Sequence, residues 1–179
     1  ASIVSIDPRP EYTPDERGLD CHYDLVKSAD MLSNLKKAFP EVPHKVTCID
    51  LDSSHVSTSD LMCRPNLLFI DGEHTDNAAY VDFLFCCKVY ASDSMILLHD
   101  SHYIFKAIPK MKNYLITQSI KYQSYKLGGS IYCFIFGRYI EEIGPIIQRI
   151  SISEEKYFKF YRRKLLKTKI RNKNPFIYN

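Results

Sequence analysis

"LLFIDGEHTDNAAYVDF", residues 67 to 83, runs an apolar segment straight into Asp71, Glu73, His74, Asp76 and Asp82. Residues 66–70 are apolar without alternation, the pattern of a strand covered on both faces of a parallel sheet. From 77 to 90, Ala78, Val81, Leu84 or Phe85, and Val89 fall on one side of a helix. The next segment repeats the arrangement. "SMILLHDSH" (94–102) is a β-rich run that again closes in polar groups, His99, Asp100, Ser101 and His102. Ile104, Ala107, Ile108, Met111 and Leu115 then predict a helix with Pro109 near its start.

The same alternation extends in both directions. "SIVSI" (2–6) is a short β-branched strand that stops at Asp7-Pro8, and Pro8, Pro10 and Pro14 keep the following stretch extended or turned. Between Asp20 and Phe39, Leu25, Ala29, Leu32, Leu35 and Phe39 recur at steps of three and four, which predicts a helix with one apolar face, stopped by Pro40 and Pro43. "KVTCIDL" (45–51) reads as a strand with Asp52-Ser53-Ser54 as turn chemistry behind it. Downstream, "KYQSYKLGGSIYCFIFG" (121–137) is two β-rich runs about a Leu-Gly-Gly turn, a hairpin signal. Alternating strands and helices ending in a hairpin indicate an open, mostly parallel α/β sheet with helices on both faces.

Composition sets outer bounds. At 179 residues with 45% hydrophobic and 13% aromatic content, the chain can bury one ordinary core. No run reaches the roughly 18 apolar residues of a membrane span, and no basic segment leads into a hydrophobic signal core. A cytoplasmic protein is the expectation. Six cysteines (21, 48, 63, 86, 87 and 133) show no CxxC spacing and mostly lie in apolar segments, so they are expected to be reduced. The formal charge of +3 is uneven: residues 151–179 hold nine Lys or Arg against Glu154 and Glu155, a net of +7, which leaves −4 for residues 1–150. We read 1–150 as an α/β domain and 151–179 as a basic C-terminal helix or tail that could meet an anionic partner. Tyr157, Phe158, Phe160 and Tyr161, with Leu165 and Leu166, are expected to dock an amphipathic helix on the body.

In open α/β sheets, ligands bind beyond the carboxyl ends of the strands. Asp7, Asp71 and Asp100 each follow a strand, and Asp50, Asp52 and Ser53 follow another. A single strand-end Asp is as readily a helix cap or turn stabiliser. Their recurrence alongside His74, His99 and His102 points to convergence on one edge. For other polar groups the structural reading is preferred: Glu73 and Asp76 as exposed turn residues, Asp82 as a cap or ion pair within its helix, Cys86-Cys87 as packing.

The pair "LLFIDGEHTDNAAYVDF" and "SMILLHDSH" resembles one branch of class I S-adenosylmethionine-dependent methyltransferases, in which the fourth strand ends in an IDGxH-type sequence, a further Asp follows about a dozen residues on, and the fifth strand ends in HD or DD. Asp71, Gly72, His74, Asp82, His99 and Asp100 match that pattern. "SIVSIDPRP" resembles the family's second strand and "CIDLDSS" the segment after its third, and the hairpin matches its antiparallel final strands. The resemblance implies a Rossmann-like sheet and S-adenosylmethionine as cofactor, with Asp7 on the ribose hydroxyls, Asp52 and Ser53 beside the adenine, and Asp71 also at the cofactor. It further implies a metal-assisted O-methyltransferase of sugar-like or other hydroxylated small molecules, and an oligomer of identical chains is compatible with it. In it Asp71 and Asp100 would ligate Mg²⁺, with His99 where relatives carry a second Asp, and His74 would be the general base.

The family's first strand and glycine-rich loop have no counterpart in the sequence, which opens at Ala1 in what matches strand two. The expectation is a truncated chain with a gap between the strands ending at Asp7 and Asp71. Two other functions stay open: a non-catalytic methyltransferase-like module that binds an anionic partner through the tail, and a metal-dependent hydrolase built on the Asp and His cluster, for which no nucleophile is specified.

Overall fold

The computed structural model describes residues 1–7, 28–61 and 63–173, with side chains described through Arg163. In chain order the elements are β1 (Ile3–Ile6), α1 (Ser28–Ala38), β2 (Val46–Ile49), β3 (Leu67–Ile70), α2 (Asp76–Val89), β4 (Ser94–Leu98) and α3 (Ala107–Thr117). They are followed by β5 (Tyr122–Leu127), β6 (Tyr132–Phe136), α4 (Tyr139–Glu142), α5 (Gly144–Ile150), β7 (Ser151–Ile152) and α6 (Glu154–Lys173). Short 3₁₀ turns occupy Pro43–Lys45, Ser53–His55 and Thr58–Asp60.

The strands form two sheets. β1 pairs in parallel with β2, and a five-stranded sheet runs in the order β3-β4-β6-β5-β7. Within it β3 and β4 are parallel, and β6 returns antiparallel between β4 and β5. This is an α/β fold with a terminal antiparallel hairpin. Among the described residues β1 and β3 do not pair, so the sheet is interrupted between the strand ending at Asp7 and the strand ending at Asp71, where the sequence leads one to expect a gap.

Packing is concentrated in the larger sheet. β6 is buried along its whole length, with Phe134 against Phe83 at 5.2 Å and Tyr132 at 5.3 Å between ring centroids. Every residue of the stripe expected of α3 (Ala107, Ile108, Met111 and Leu115), together with Ile104, is buried. On α2 Phe85 and Val89 are buried as the sequence leads one to expect, whereas Ala78 and Val81 are half-buried and Ala79, Phe83 and Cys86 take the inner positions beside them. The helix is apolar nearly all round, and periodicity alone does not fix its rotation.

Two expectations are corrected. β3 is not covered on both faces: Leu68 and Ile70 are buried, whereas Leu67 is 62% and Phe69 56% exposed. On the side of Leu67 and Phe69, α4 and α5 pack over Cys133 and Ile135 of β6 and not over β3, so only its other face meets the core. Similarly, α1 buries only Ser28 among its residues; Leu32 and Leu35 are half-buried, Ala29 is exposed, and Phe39 just beyond is 56% exposed. The earlier part of that expected helix, including Leu25, and Pro8, Pro10 and Pro14 lie outside the described residues.

Residues 138–150, unassigned from the sequence, form α4 and α5 and cover Cys133 and Ile135 on the second face of β6 with Ile140 and Ile147. The tail docks as expected through Phe158, Tyr157 and Tyr161, although Phe160 is 61% exposed; the side chains of Leu165 and Leu166 lie outside the described set. The five described cysteines, 48, 63, 86, 87 and 133, are all free thiols. Burial pushes the Cys87 and Cys133 thiols up to about 12, so both are neutral packing groups near pH 7. No helix among the described residues is long and apolar enough to cross a membrane.

Candidate active site

Sheet register brings the first pair of polar groups together. Ile70 is opposite Leu98 in the parallel β3–β4 ladder, and the His99 amide donates to the Ile70 carbonyl at 2.9 Å. Asp71 and His99 therefore emerge side by side beyond the strand ends, and Asp71 Oδ1 lies 2.7 Å from His99 Nδ1. Directly after, the chain turns back through Asp100 at φ 45°, the left-handed region that few residues other than glycine adopt. The turn is held by the Tyr103 amide donating to the Asp100 carbonyl at 2.8 Å and the Ser101 amide to the Ser130 carbonyl at 2.8 Å. A non-glycine residue in this conformation is a local strain that surrounding contacts must maintain.

His74 reaches the same place from the β3–α2 loop. Thr75 caps α2, its hydroxyl accepting from the Ala78 amide at 3.2 Å, which fixes the loop one residue after the imidazole. His74 Nε2 is 3.2 Å from Asp100 Oδ2 and 3.7 Å from Asp71 Oδ1, and its ring lies 5.9 Å from that of Tyr103. His99 Nδ1 is 3.7 Å from Asp100 Oδ2. Two carboxylate oxygens and two imidazole nitrogens thus alternate around a closed four-atom ring. His102 stands outside it, with Nδ1 3.8 Å from Asp100 Oδ1 and its ring between Tyr103 at 4.0 Å and Tyr161 at 5.7 Å. Asp71 is 45% exposed and Asp100 only 19%, so the cluster opens to solvent on the Asp71 side.

The His74 Nε2 atom is buried and makes no hydrogen bond, although Asp100 Oδ2 is near enough for one. Its distance is right and its direction wrong: the nitrogen is close to both carboxylates and aligned with neither. Buried polar atoms are nearly always satisfied, so such an atom calls for an explanation.

The remaining candidates form a second group. Asp7 follows β1, its amide donating to the Ile49 carbonyl at 3.1 Å, which places it at the same end of the small sheet as Asp52 and Ser53. Asp52 Oδ1 accepts from the Ser54 amide at 2.8 Å and from the Ser54 hydroxyl, holding the turn and drawing the carboxyl below its ordinary range. Ser53 donates to Asp82 Oδ1 at 2.6 Å. Asp82 therefore does not cap or pair within its own helix, as the sequence suggested; it ties α2 to the segment behind β2. Its other oxygen would stand 3.1 Å from a Cβ placed on Gly72, so the same carboxyl also crowds the turn after Asp71. Burial raises the Asp82 carboxyl, the Ser53 bond opposes this, and the neighbouring charges of Asp52 and Glu73 add to the rise.

Sequence reasoning underrated several residues. Asp76 is a cap at a distance, accepting from the Lys106 and Ala107 amides at 2.9 and 2.8 Å and so seating the start of α3. Tyr103 borders the cluster. Ser101 donates to the Ser130 carbonyl at 2.6 Å and meets the Tyr157 hydroxyl at 3.1 Å. For Asp82 a usable signal existed: an acid between Val81 and Phe83 in an otherwise apolar helix needs a partner. Asp76, Tyr103 and Ser101 had none, because their partners are far away in the chain.

A family described as "Methyltransferase domain" matches residues 1–101, more than half of the chain. Among curated proteins none matches it. Solved structures similar to it include an O-methyltransferase from Bacillus cereus in complex with SAH, at 15% identity over 75% of this chain and 73% of that one, TM-score 0.47. Another is the O-methyltransferase TomG from Streptomyces achromogenes in complex with SAM, at 14% identity over 76% and 73%, TM-score 0.47. A protein from Clostridium thermocellum assigned as an rRNA methylase matches at 9% identity over 75% and 86%, TM-score 0.49. Likeness of this degree bears on neither substrate nor site. The matched segment contains the DGxH and HD motifs whose side chains meet beyond β3 and β4, and the resemblance to class I S-adenosylmethionine-dependent methyltransferases holds: the chain belongs to the methyltransferase-domain family.

Proposed function

We propose that the chain transfers a methyl group from S-adenosylmethionine to a hydroxyl of a small acceptor at the Asp71–His74–His99–Asp100 cluster. The observation that carries this reading is the meeting of those four side chains at the strand ends of a methyltransferase-family domain. In this reading Asp7 takes the ribose hydroxyls, Asp52 and Ser53 border the adenine, and Asp71 lies at the junction of cofactor and acceptor. His74 Nε2 accepts the hydroxyl proton as the oxygen attacks the methyl carbon. The carbon–sulfur bond breaks with its electron pair on sulfur, which turns the sulfonium into a thioether. Asp71 and Asp100 then face the imidazolium they help to stabilise. In this reading a small acceptor approaches from the exposed Asp71 side of the cluster, in a cytoplasmic setting that the cysteine pattern of the sequence, without CxxC spacing and mostly in apolar segments, supports.

The implied Mg²⁺ does not fit these donors. Mg²⁺ takes near-ideal octahedral oxygen coordination and keeps several waters, whereas half of the converging atoms here are imidazole nitrogens. The reaction above accordingly uses protein groups alone.

S-adenosylmethionine is expected to raise the melting temperature, and His74→Ala to lower turnover by about 10²- to 10⁴-fold while leaving that shift intact. Turnover unchanged in the variant would remove His74 as base; absence of any thermal shift would remove cofactor use. The latter outcome would favour a binding module that holds an anionic partner through the basic segment after residue 150, a reading supported by that segment's net charge of +7.

A further inference from the structure

We infer that Lys126 is a positioning residue of the site: it shapes the β5–β6 turn so that the turn holds Asp100 against His74. The inference rests on the methyl-transfer reading for its functional sense, and its test separates the two.

Lys126 is 1% exposed. Lysine is almost never buried to that degree without a counter-charge, and no carboxylate pairs with it among the described residues. Its ammonium instead donates to the carbonyls of Leu127, Gly129 and Ile131 at 2.5, 2.9 and 3.0 Å, and lies 4.4 Å from the centre of the Tyr157 ring. Three acceptors match the three protons of an ammonium, and the ring face adds a further attraction for the cation. A hydrocarbon side chain of similar length would fill the same space and give up every one of these bonds. What the cation adds over such a side chain is the shape of the turn.

That shape reaches the site. Between the gathered carbonyls of Gly129 and Ile131, the Ser130 carbonyl accepts from the Ser101 amide at 2.8 Å and from the Ser101 hydroxyl at 2.6 Å. Ser101 is fully buried and follows directly on Asp100, whose φ of 45° has to be maintained by its neighbours. Asp100 Oδ2 in turn lies 3.2 Å from His74 Nε2, the proposed base. A second route has the same start and the same end: Lys126 faces the Tyr157 ring, and the Tyr157 hydroxyl meets Ser101 Oγ at 3.1 Å. One buried cation thus braces Ser101 both from the hairpin and from α6.

The test is NMR of the full chain at fixed pH, following the Ser101 amide and the histidine ring signals in the folded state. In Lys126→Met the Ser101 amide and the His74 ring should both shift, with His44 and His55 unmoved, and exchange of the Ser101 amide with solvent should quicken by at least about 10-fold. Lost stability alone does not give this pattern: Leu115→Ala, which opens a cavity two turns into α3, should lower the melting temperature and leave both signals in place. Lys126→Gln, which keeps two donors, serves where the methionine variant does not fold, with smaller displacements of the same signals. Ser101 and His74 signals unmoved in a folded Lys126 variant would overturn the assignment. The thermal shift given by S-adenosylmethionine is expected in the parent and in the variants alike. Its absence from the parent removes the methyl-transfer reading and leaves the NMR result to decide the role of Lys126. Its loss in the folded variants alone would overturn the positioning role, because Lys126 would then serve the cofactor group instead.

Discussion

The two sheets of this protein are built from similar sequence but live in different surroundings. β1 and β2 are β-branched runs of four residues, yet Ile3 and Val4 are 51% and 42% exposed and neither strand has a fully buried residue. β6, only one residue longer, has a hydrogen-bonded neighbour on each side, helices over both faces and every residue buried. The difference shows that strand-forming character is a property of sequence, while burial depends on what else reaches the strand. Through Asp82 and Ser53 the small sheet is nonetheless joined to the larger one, and Ile6 and Ile49 rest against the main core.

The sharpest way to break this comparison is to remove equal chemistry from both sides. Phe134→Ala deletes a fully buried ring packed on Phe83, Tyr122 and Tyr132 and is expected to cost about 3–5 kcal/mol in urea unfolding. A loss below about 1 kcal/mol would mean that β6 is not the centre of the core. Asp82→Asn addresses the tie between the sheets and is expected to act on the order of 1 kcal/mol. Burial raises the Asp82 carboxyl above its ordinary 3.8, so the folded chain holds that proton more tightly than the unfolded one. The resulting stabilisation is complete below pH 3.8 and is lost as pH rises through the folded value; the variant, which still accepts from Ser53, should flatten that fall. Identical slopes for both chains between about pH 3.5 and 7 would exclude burial of this group as the cause. At the small end, Ile3→Ala should fall within about 0.5 kcal/mol of the parent in the same assay, and a larger loss would show that β1 is covered in solution.

Local pattern made much of this fold readable. The strands at 2–6, 45–51, 66–70 and 94–99 and the stripe on α3 follow from short-range order, which strand and helix periods encode directly. What stayed hidden depends on remote partners. The exposed face of β3 reflects helices that reach β6 but not β3, the rotation of α2 is set by packing on a helix apolar nearly all round, and the distant cap at Asp76 is formed by a helix thirty residues on. The site divides in the same way. The convergence of Asp71, His74, His99 and Asp100 was legible because parallel register forces strand ends together, whereas Asp82 was misjudged because its partner Ser53 lies 29 residues earlier, in the turn after β2.

The contacts of Ser101 and His102 with Tyr157 and Tyr161 have a practical side. The loop bearing Asp100 leans on the first turns of the basic helix as well as on its own sheet, so shortening the chain from its C-terminus would disturb the cluster beyond β3 and β4 while seeming to ask only about charge. Replacing surface cations one at a time, with both tyrosines kept, separates the electrostatic question from the architectural one.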